Sequence, residues 1–370
     1  MSTDVYQKRW RRARELMDAA GVSALFLVPT TDLYYMTGFR GHIGDRLTAF
    51  VLLPERRDVS PAFFLYPAFE KAAINRELLE SAECVPYRDG EDPYRALTAL
   101  FPEPDGLIAV DTRLWSGVLL SLESAMPRAR WLDAEKIIAP MRLQKDAAER
   151  ALLEEAQSRA GRALMELFAW GLTGRTERET AEKLTGFCAG AGLERADWGP
   201  VVASGENSAI PHHESGDKVI GKGEPVVIDF GGVYAGYQAD ITRTPVTGAA
   251  SGEFRAVYET VLAANEAAFR AARVGASSAS VDAAARDVIA RAGYGDYFTH
   301  RLGHGIGLDI HEAPYMVGGS ALSLAPGMAF SDEPGIYLPG KFGVRIEDIL
   351  FMGGETAERL TAFPRELREL

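Results

Sequence analysis

The sequence predicts an α+β protein of two domains, a smaller α/β unit over residues 1–133 and a larger unit over 134–370. The chain has 370 residues, which is more than one hydrophobic core usually holds. Apolar residues make up 47% and charged residues 25%, as in ordinary globular proteins. Strand and helix patterns alternate in the first part, whereas the second part combines long helices with strands that carry acidic residues.

The first unit opens with a charged helix over 4–20, which ends at Gly21, and continues into a strand over 24–28. The following pattern predicts strands over 47–53, 62–66, 107–110 and 128–132, with helices over 31–37, 68–80, 92–100 and 114–124. This alternation favours a largely parallel or mixed sheet with helices outside it.

The junction between the units is predicted near residues 133–140, where Pro140 interrupts the helical pattern. Beyond it, apolar residues recur at helical spacing in four long segments, so each of these helices buries one face. The four predicted helices span 145–169, 176–190, 252–273 and 280–291. The strands that carry acidic residues lie between and after these helices.

Charge and hydropathy exclude several classes of partner. The net charge of −12 argues against a nucleic-acid partner, since binding a phosphate backbone needs a basic face. No apolar run approaches the about 20 residues that span a bilayer, and the N-terminus lacks the apolar core of a signal peptide. The two cysteines, Cys84 and Cys188, show no metal-ligand spacing. We therefore expect a cytoplasmic protein with reduced, buried thiols and no membrane partner, and a disulfide between the two cysteines is the alternative.

Four carboxylates and one histidine are the candidate metal ligands. Asp229 ends the apolar run 226–228, and Asp240 follows a series of glycine turn signals, so a hairpin would bring these two acids together. Glu347 sits in the strand-like segment 344–350. The five candidates, Asp229, Asp240, His304, Glu333 and Glu347, lie in the segments VVIDFGG, YQADITRT, HRLGHGIGLDIHE, FSDEPGIY and GVRIEDI.

An acidic residue considered alone is most often a solvated surface charge. Charged groups within strands, however, are rarely buried unless they are paired or bind a metal. Four carboxylates that converge repel one another unless cations lie between them, and two divalent ions would balance their formal charge. Oxygen-rich ligation with one imidazole suits Mn²⁺, Co²⁺, Fe²⁺ or Zn²⁺.

These segments resemble the metal-dependent Xaa-Pro peptidases, prolidase and aminopeptidase P, of the methionine-aminopeptidase superfamily. The resemblance covers residues 135–365 with all five motifs in order, and it implies a C-terminal pita-bread domain over 134–370. A looser match implies a creatinase-like N-terminal domain over 1–133. The resemblance further implies that the five candidates bind two divalent ions per subunit, with Mn²⁺ as the first choice. It also implies a homodimer that acts on small peptides. Glu333 would also carry the proton from water to the leaving nitrogen.

The same resemblance gives roles to two further histidines. His212 and His311 would donate hydrogen bonds to the carbonyl oxygen of the substrate as negative charge develops there. We expect a structural role near the site for His300, and ordinary imidazoles at His42 and His213.

Arg345 and Tyr237 complete the side chains predicted around the substrate. Arg345 precedes Glu347 by two residues, so on a strand both side chains face the same side. It is predicted to hold a carboxylate ligand or a neighbouring tyrosine in place. Tyr237, which lies just before Asp240, is assigned the same task.

A dipeptidase must bind the carboxylate that directly follows proline, and arginine does this through its planar fork. The loop 37–46 offers Arg40 and Arg46, of which Arg46 adjoins a predicted strand and is better anchored. Pairing of Arg46 with Asp45 at the surface is the alternative. We expect a prolidase in preference to an aminopeptidase P that acts on longer peptides. A general dipeptidase and a non-enzymatic binding module are further alternatives, and the complete ligand set argues against the second.

Overall fold

The structure is a computed structural model that describes residues 3–55, 62–101 and 105–370. The chain divides into two compact units, Met1–Arg142 and Leu143–Leu370. Within the described residues, none of the helices combines the length and the apolar character that a membrane span requires.

A six-stranded mixed sheet forms the centre of the first unit, in the order β4-β3-β2-β1-β5-β6. Its strands are β1 (Ala24–Leu27), β2 (Ala49–Leu52), β3 (Ala62–Pro67), β4 (Glu83–Tyr87), β5 (Leu107–Val110) and β6 (Arg130–Asp133). β1 runs antiparallel to β2 and parallel to β5, so the predicted mixed sheet is confirmed. Every residue of β1, β2 and β3 is buried, as expected for strands covered on both faces.

Six α-helices accompany this sheet in the described residues of the unit. They are α1 (Thr3–Ala20), α2 (Thr31–Thr37), α3 (Arg76–Ser81), α4 (Pro93–Thr98), α5 (Ser116–Ala125) and α6 (Glu135–Arg142). α4 shows how the sequence sets a helix start, because the Asp92 side chain accepts a hydrogen bond from the Tyr94 N–H and Pro93 occupies the first turn. Phe26, Val51 and Ile108 are part of the buried core of this unit.

Two predictions for this region are wrong. The helix predicted over 68–80 is a 3₁₀ turn, Ala68–Ala73, followed by α3, and the strand β4 after it was not predicted. Pro140 does not end a segment but lies inside α6, whose residues Ile137 and Ile138 are buried. Because α6 packs against α1, its apolar contacts offset the missing proline N–H, and the division between the units falls after Arg142.

Four long helices in the second unit confirm the predicted helical segments. They are α7 (Ala147–Trp170), α8 (Glu177–Gly190), α9 (Gly252–Ala271) and α10 (Ser278–Arg291). α7 and α8 each begin with a capping box, in which Asp146 pairs with Glu149 and Thr176 pairs with Glu179.

Three sheets accompany these helices. A three-stranded antiparallel sheet consists of β7 (Val201–Ser204), β8 (Val226–Tyr234) and β9 (Tyr237–Arg243). A five-stranded sheet has the order β11-β10-β12-β15-β16, and a separate hairpin pairs β13 with β14. Their bounds are β10 (Gly303–Gly305), β11 (Glu312–Met316), β12 (Ala329–Asp332), β13 (Gly335–Leu338), β14 (Phe342–Arg345), β15 (Asp348–Met352) and β16 (Ala357–Arg359).

The second unit has two hydrophobic cores. One joins α7 and α8 to the β7–β9 sheet and includes Leu164 and Ile228. The other joins α9 and α10 to the later strands and includes Val257 and Phe330. The two halves meet where the Glu347 N–H donates to the carbonyl oxygen of Thr242 on β9, at 3.1 Å. This junction brings the acids of the first half close to those of the second.

Candidate active site

The β8–β9 hairpin carries two of the five predicted ligands. Asp229 pairs with Thr242 and Gly231 pairs with Asp240, so the two acids are diagonal neighbours on one face of the sheet. The hairpin turns at Ala235 and Gly236, which both have positive φ angles, 50° and 93°. Two such residues are typical of the tight turns that keep antiparallel strands in register.

The other three predicted ligands come from the second half of this unit. His304 lies on β10, and Glu333 directly follows β12. The prediction that Glu347 lies inside one strand is wrong, since β14 ends at Arg345 and β15 begins at Asp348. Glu347 instead occupies the crossing between two sheets, where the backbone bridge to Thr242 holds it.

The structure brings these side chains together. One donor atom each from Asp240, His304 and Glu347 lies within 4.8 Å of the others, and all three residues are buried. The Nε2 atom of His304 is 3.3 Å from Glu333 Oε1 and 3.6 Å from Asp240 Oδ2. Asp229 lines the same cavity.

The donor chemistry fits a metal ion. The Nδ1 atom of His304 is 3.1 Å from the Gly305 carbonyl oxygen, so Nδ1 carries the hydrogen and Nε2 presents a lone pair. Burial, followed by the charge of His311, lowers the pKa of His304 to about 3, which keeps the ring neutral. The unprotonated Nε2 atom and the two carboxylates that it faces are all acceptors, so no hydrogen bond can form between them. A divalent cation bound between them would satisfy these acceptors.

The charges of the acids give the same indication. Burial raises the pKa of Asp240 and Glu347 well above their ordinary values, and the charges of neighbouring acids raise them further. Burial also raises the pKa of Glu333 to about 7, although the charge of Arg345 opposes this shift. Bound cations would remove the repulsion and release the protons that these groups hold.

Metal-free protein should therefore lose stability as the pH rises. Between the ordinary pKa of glutamate, 4.5, and the value of about 7 for Glu333, the folded chain holds more protons than the unfolded chain. From about pH 5 to about pH 7.5, we expect Glu333 alone to reduce the unfolding free energy by about 2 kcal/mol. Metal affinity should increase over the same window, because binding displaces these protons.

Thermal unfolding of the chelated and the metal-loaded protein at several pH values measures both effects. The difference between the wild type and Glu333→Gln isolates the contribution of Glu333. A wild type whose chelated form gains stability relative to Glu333→Gln across this window would contradict the expectation.

Arg345 and Thr242 orient the carboxylates. Arg345 is 2% exposed, and its Nη2 donates to Asp229 Oδ2 at 2.5 Å while its Nη1 donates to the Tyr337 hydroxyl at 2.7 Å. Its Nε donates to Thr242 Oγ1, which in turn donates to Glu347 Oε2 at 2.7 Å. The sequence offered no signal for Thr242, because its partners Arg345 and Glu347 are distant in the chain. Tyr337 was not identified either, although Arg345 is its neighbour in the β13–β14 hairpin.

The two histidines assigned to the substrate line the same cavity. The ring of His311 lies 4.2 Å from that of His304, and His212 is exposed towards the cavity. His300 contacts the Tyr337 hydroxyl at 2.9 Å through Nε2, as a structural residue near the site would. His213 instead contacts Glu177 at 2.7 Å.

Glu177 anchors the loop that carries His212. Its side chain is fully buried and accepts hydrogen bonds from the Ser204 N–H, the Ser204 hydroxyl and the Asn207 amide. Burial would raise the pKa of Glu177, but these hydrogen bonds outweigh it and lower the pKa. The carboxylate therefore stays charged and fixes the loop beside the cavity.

Gln157 was not identified from the sequence, although it is a polar residue on the apolar stripe of α7. It is 1% exposed, and its side-chain amide can donate to the Asp240 carbonyl oxygen and accept from the Asp240 N–H, both at 3.0 Å. Thr361 lies beside it, 3.3 Å away. Gln157 thus acts as a hydrogen-bond partner for the backbone of the candidate ligand Asp240.

Replacing Gln157 with methionine should weaken metal binding by about tenfold, because the Asp240 peptide loses both partners. The activity at saturating metal should change much less. Titration of the chelated protein with Mn²⁺, followed by activity and calorimetry, measures the change. Gln144→Met, at an exposed position, is the control. Equal metal affinity in the two variants would show that the Gln157 amide does not support the site.

Three other residues were predicted to contact the substrate. Tyr237 is buried, and its hydroxyl donates to Glu149 at 2.8 Å. Since Tyr237 is not among the described residues that line the cavity, it has no direct contact with this space. Arg40 and Arg46 belong to the first unit, where Arg46 makes two hydrogen bonds to Asp89, at 2.8 and 3.0 Å. Carboxylate binding by Arg46 stays a prediction.

The cavity around the five predicted ligands has a volume of about 800 Å³, which suits a small peptide. Trp198, Pro200 and Ile310 form apolar parts of its wall.

Comparison with known proteins identifies the family. The sequence pattern described as metallopeptidase family M24 matches residues 151–353, and the creatinase/prolidase N-terminal domain matches residues 9–144. The chain belongs to metallopeptidase family M24. This membership confirms the predicted creatinase-like and pita-bread domains, and the dependence on divalent metal ions.

Relatives of this M24 peptidase resemble it over nearly their full length. A probable dipeptidase PepE from Mycobacterium bovis is 36% identical over 98% of this chain and 96% of its own. A Xaa-Pro dipeptidase from Pyrococcus horikoshii is 31% identical over 98% of this chain and 99% of its own. A crystal structure of a dipeptidase from Pyrococcus horikoshii has a TM-score of 0.91 at 36% identity, covering 98% of this chain and all of that one.

Proposed function

We propose that this M24 peptidase hydrolyses the Xaa-Pro bond of dipeptides with two divalent cations. The observation that carries the proposal is the buried group of acids around the bare Nε2 atom of His304, on the wall of a peptide-sized cavity. The names of the relatives, dipeptidase and Xaa-Pro dipeptidase, support the substrate class. The residues that would hold the cations are Asp229, Asp240, His304, Glu333 and Glu347.

When bound, two divalent cations polarise a carbonyl group and make water acidic near neutral pH. We propose Mn²⁺ as the working metal, with Co²⁺, Zn²⁺ and Fe²⁺ as alternatives that the same ligands accept.

Glu333 would transfer the proton. A carboxylate has two oxygens, so the same residue would both hold a cation and accept a proton from water and return it. The water oxygen would bond to the carbonyl carbon as it loses this proton. The carbon–nitrogen bond would then break as the proton reaches the proline nitrogen, giving a carboxylic acid and a secondary amine. Ser331 donates to Glu333 Oε1 at 3.1 Å and holds the carboxylate in place.

His212 and His311 would stabilise the developing charge on the carbonyl oxygen. Burial and the nearby charge of Arg301 lower the pKa of His311, so its ring is neutral and donates through a single N–H. Both histidines lie on the cavity wall within reach of a bound peptide.

We also propose that the enzyme works in the cytoplasm as a homodimer. The two free cysteines suit a reducing compartment, and the net charge of −12 disfavours a nucleic-acid partner. Light scattering of the purified protein tests the dimer, and a monomer at micromolar concentration would exclude it.

Hydrolysis of a small substrate panel tests the proposed activity. The protein is chelated, reloaded with Mn²⁺ and offered Xaa-Pro, Xaa-Pro-Yaa and Xaa-Ala peptides, with Asp240→Asn as the inactive control. We expect Xaa-Pro to be cleaved fastest and only after reloading. Faster cleavage of Xaa-Pro-Yaa would identify an aminopeptidase P, faster cleavage of Xaa-Ala a general dipeptidase, and no cleavage by the metal-loaded protein would refute the proposal.

A further inference from the structure

Four arginines line the cavity, and two of them are already neutralised. Arg345 donates to Asp229, and Arg178 lies 3.0 Å from Asp217. These two guanidinium groups therefore have their negative partners within the protein. The remaining two, Arg195 and Arg301, decide where the cavity can bind an anion.

Arg301 is the one of this pair that is half-buried. In the described part of the chain, residues 3–55, 62–101 and 105–370, no carboxylate forms an ion pair with its guanidinium group. The guanidinium carbon lies over the ring of Tyr315, 4.7 Å from the ring centre. This stacking holds the side chain in one place without neutralising its charge, whereas Arg195 is exposed to solvent.

The Arg301–Tyr315 pair lies beside the candidate metal ligands. Tyr315 on β11 pairs with His304 on β10. Arg301 comes three residues before His304, and its charge acts on Glu333 and His311, which are both on the same cavity wall. An anion on Arg301 would therefore be close to the reacting carbonyl group.

We infer that Arg301, supported by Tyr315, binds the terminal carboxylate of the dipeptide substrate. The inference rests on the proposed function and specifies which residue binds the C-terminal end of the peptide. In a dipeptide this carboxylate is only a few bonds from the carbonyl carbon under attack, so its binding site must adjoin the ligands. A half-buried guanidinium group that forms no ion pair with a carboxylate of the described residues supplies two parallel N–H donors there. In a longer peptide a neutral amide takes the place of this carboxylate, so the ion pair with Arg301 is lost.

This assignment differs from the one made for Arg46. The guanidinium group of Arg46 already has two hydrogen bonds to Asp89, whereas Arg301 has none to any carboxylate that the structure describes. The two assignments make opposite predictions for the two variants.

The test compares each Xaa-Pro dipeptide with its C-terminal amide, which is neutral but has the same scissile bond. For Arg301→Gln, we expect kcat/KM on the acid to fall by about 10- to 100-fold, mainly through KM. The value on the amide should change by less than about threefold. Product inhibition by free proline should weaken in parallel, while inhibition by prolinamide should not change.

Matched variants separate binding from architecture. Arg195→Gln should keep the acid preference, Tyr315→Phe should keep most of it, and Tyr315→Ala should lose part of it because the stacking is gone. Metal content is measured for each variant. If Arg301→Gln loses metal, Arg301→Lys decides, since lysine keeps the charge without the bidentate fork and should lower the acid preference by a smaller factor.

Two outcomes would overturn the inference while leaving the proposed function intact. One is an equal loss on acid and amide in both Arg301 variants. The other is a loss of acid preference in Arg46→Ala while Arg301→Gln keeps it. A metal-loaded wild type that cleaves neither compound would instead refute the proposed function.

Discussion

Glu333→Gln is expected to lower kcat on Xaa-Pro dipeptides by roughly 10³-fold while the protein remains folded. Glutamine has nearly the same shape and can still accept the hydrogen bond from Ser331. It cannot accept a proton from water, whereas the carboxylate of Glu333 can. Steady-state kinetics at saturating Mn²⁺ measure the loss, and metal analysis of the same sample reports whether both cations remain.

Glu206→Gln, at an exposed position in the same half of the unit, is the control and should stay near wild-type activity. A Glu333→Gln variant within about tenfold of the wild type would exclude the proton-transfer role. If this variant lost one cation, titration with excess Mn²⁺ would separate the metal-binding part of the loss from the chemical part.

Arg243→Met is expected to destabilise the second unit by about 3–5 kcal/mol. Arg243 is 3% exposed and joins the junction between the two halves to the C-terminal segment. Its guanidinium donates to the Glu347 carbonyl oxygen at 2.6 Å and to Asp348 Oδ1 at 2.8 Å, and also to the carbonyl oxygens of Phe363 and Pro364. Methionine leaves the buried carboxylate and these carbonyls short of donors.

Thermal unfolding of the metal-loaded full chain measures this effect, and we expect Tm to fall by about 10 °C. Arg255→Met is the matched control, because its ion pair with Glu369 also reaches the C-terminal segment but is about half exposed. Exposed pairs contribute at most about 1 kcal/mol, so this control should barely shift Tm. Equal shifts in the two variants would show that Arg243 does not hold the junction.

The sequence predicts well those features that depend on neighbouring residues. The apolar run before Asp229 and the glycines before Asp240 specify the β8–β9 hairpin through local strand and turn preferences. The long helices α7 and α9 follow from apolar residues at helical spacing. A helix or turn of this kind needs no distant partner to be recognised.

Features that depend on distant contacts were missed. The segment around Glu347 has a strand pattern, but a bridge to Thr242, more than 100 residues earlier, holds it between two sheets. Gln157 and Arg243 likewise meet their partners far along the chain. Arg301 was not identified from the sequence, because only the folded chain shows that no carboxylate of the described residues pairs with it.

The register of the β8–β9 hairpin limits how this chain can be lengthened. Successive side chains of a strand point to opposite faces, so one residue added between Asp229 and the turn would send that acid to the far side of the sheet. A peptide grafted at the tip, between Ala235 and Gly236, leaves both arms unchanged. The tip therefore tolerates a spliced-in reporter loop, and a single codon inserted into either arm would dismantle the cation site.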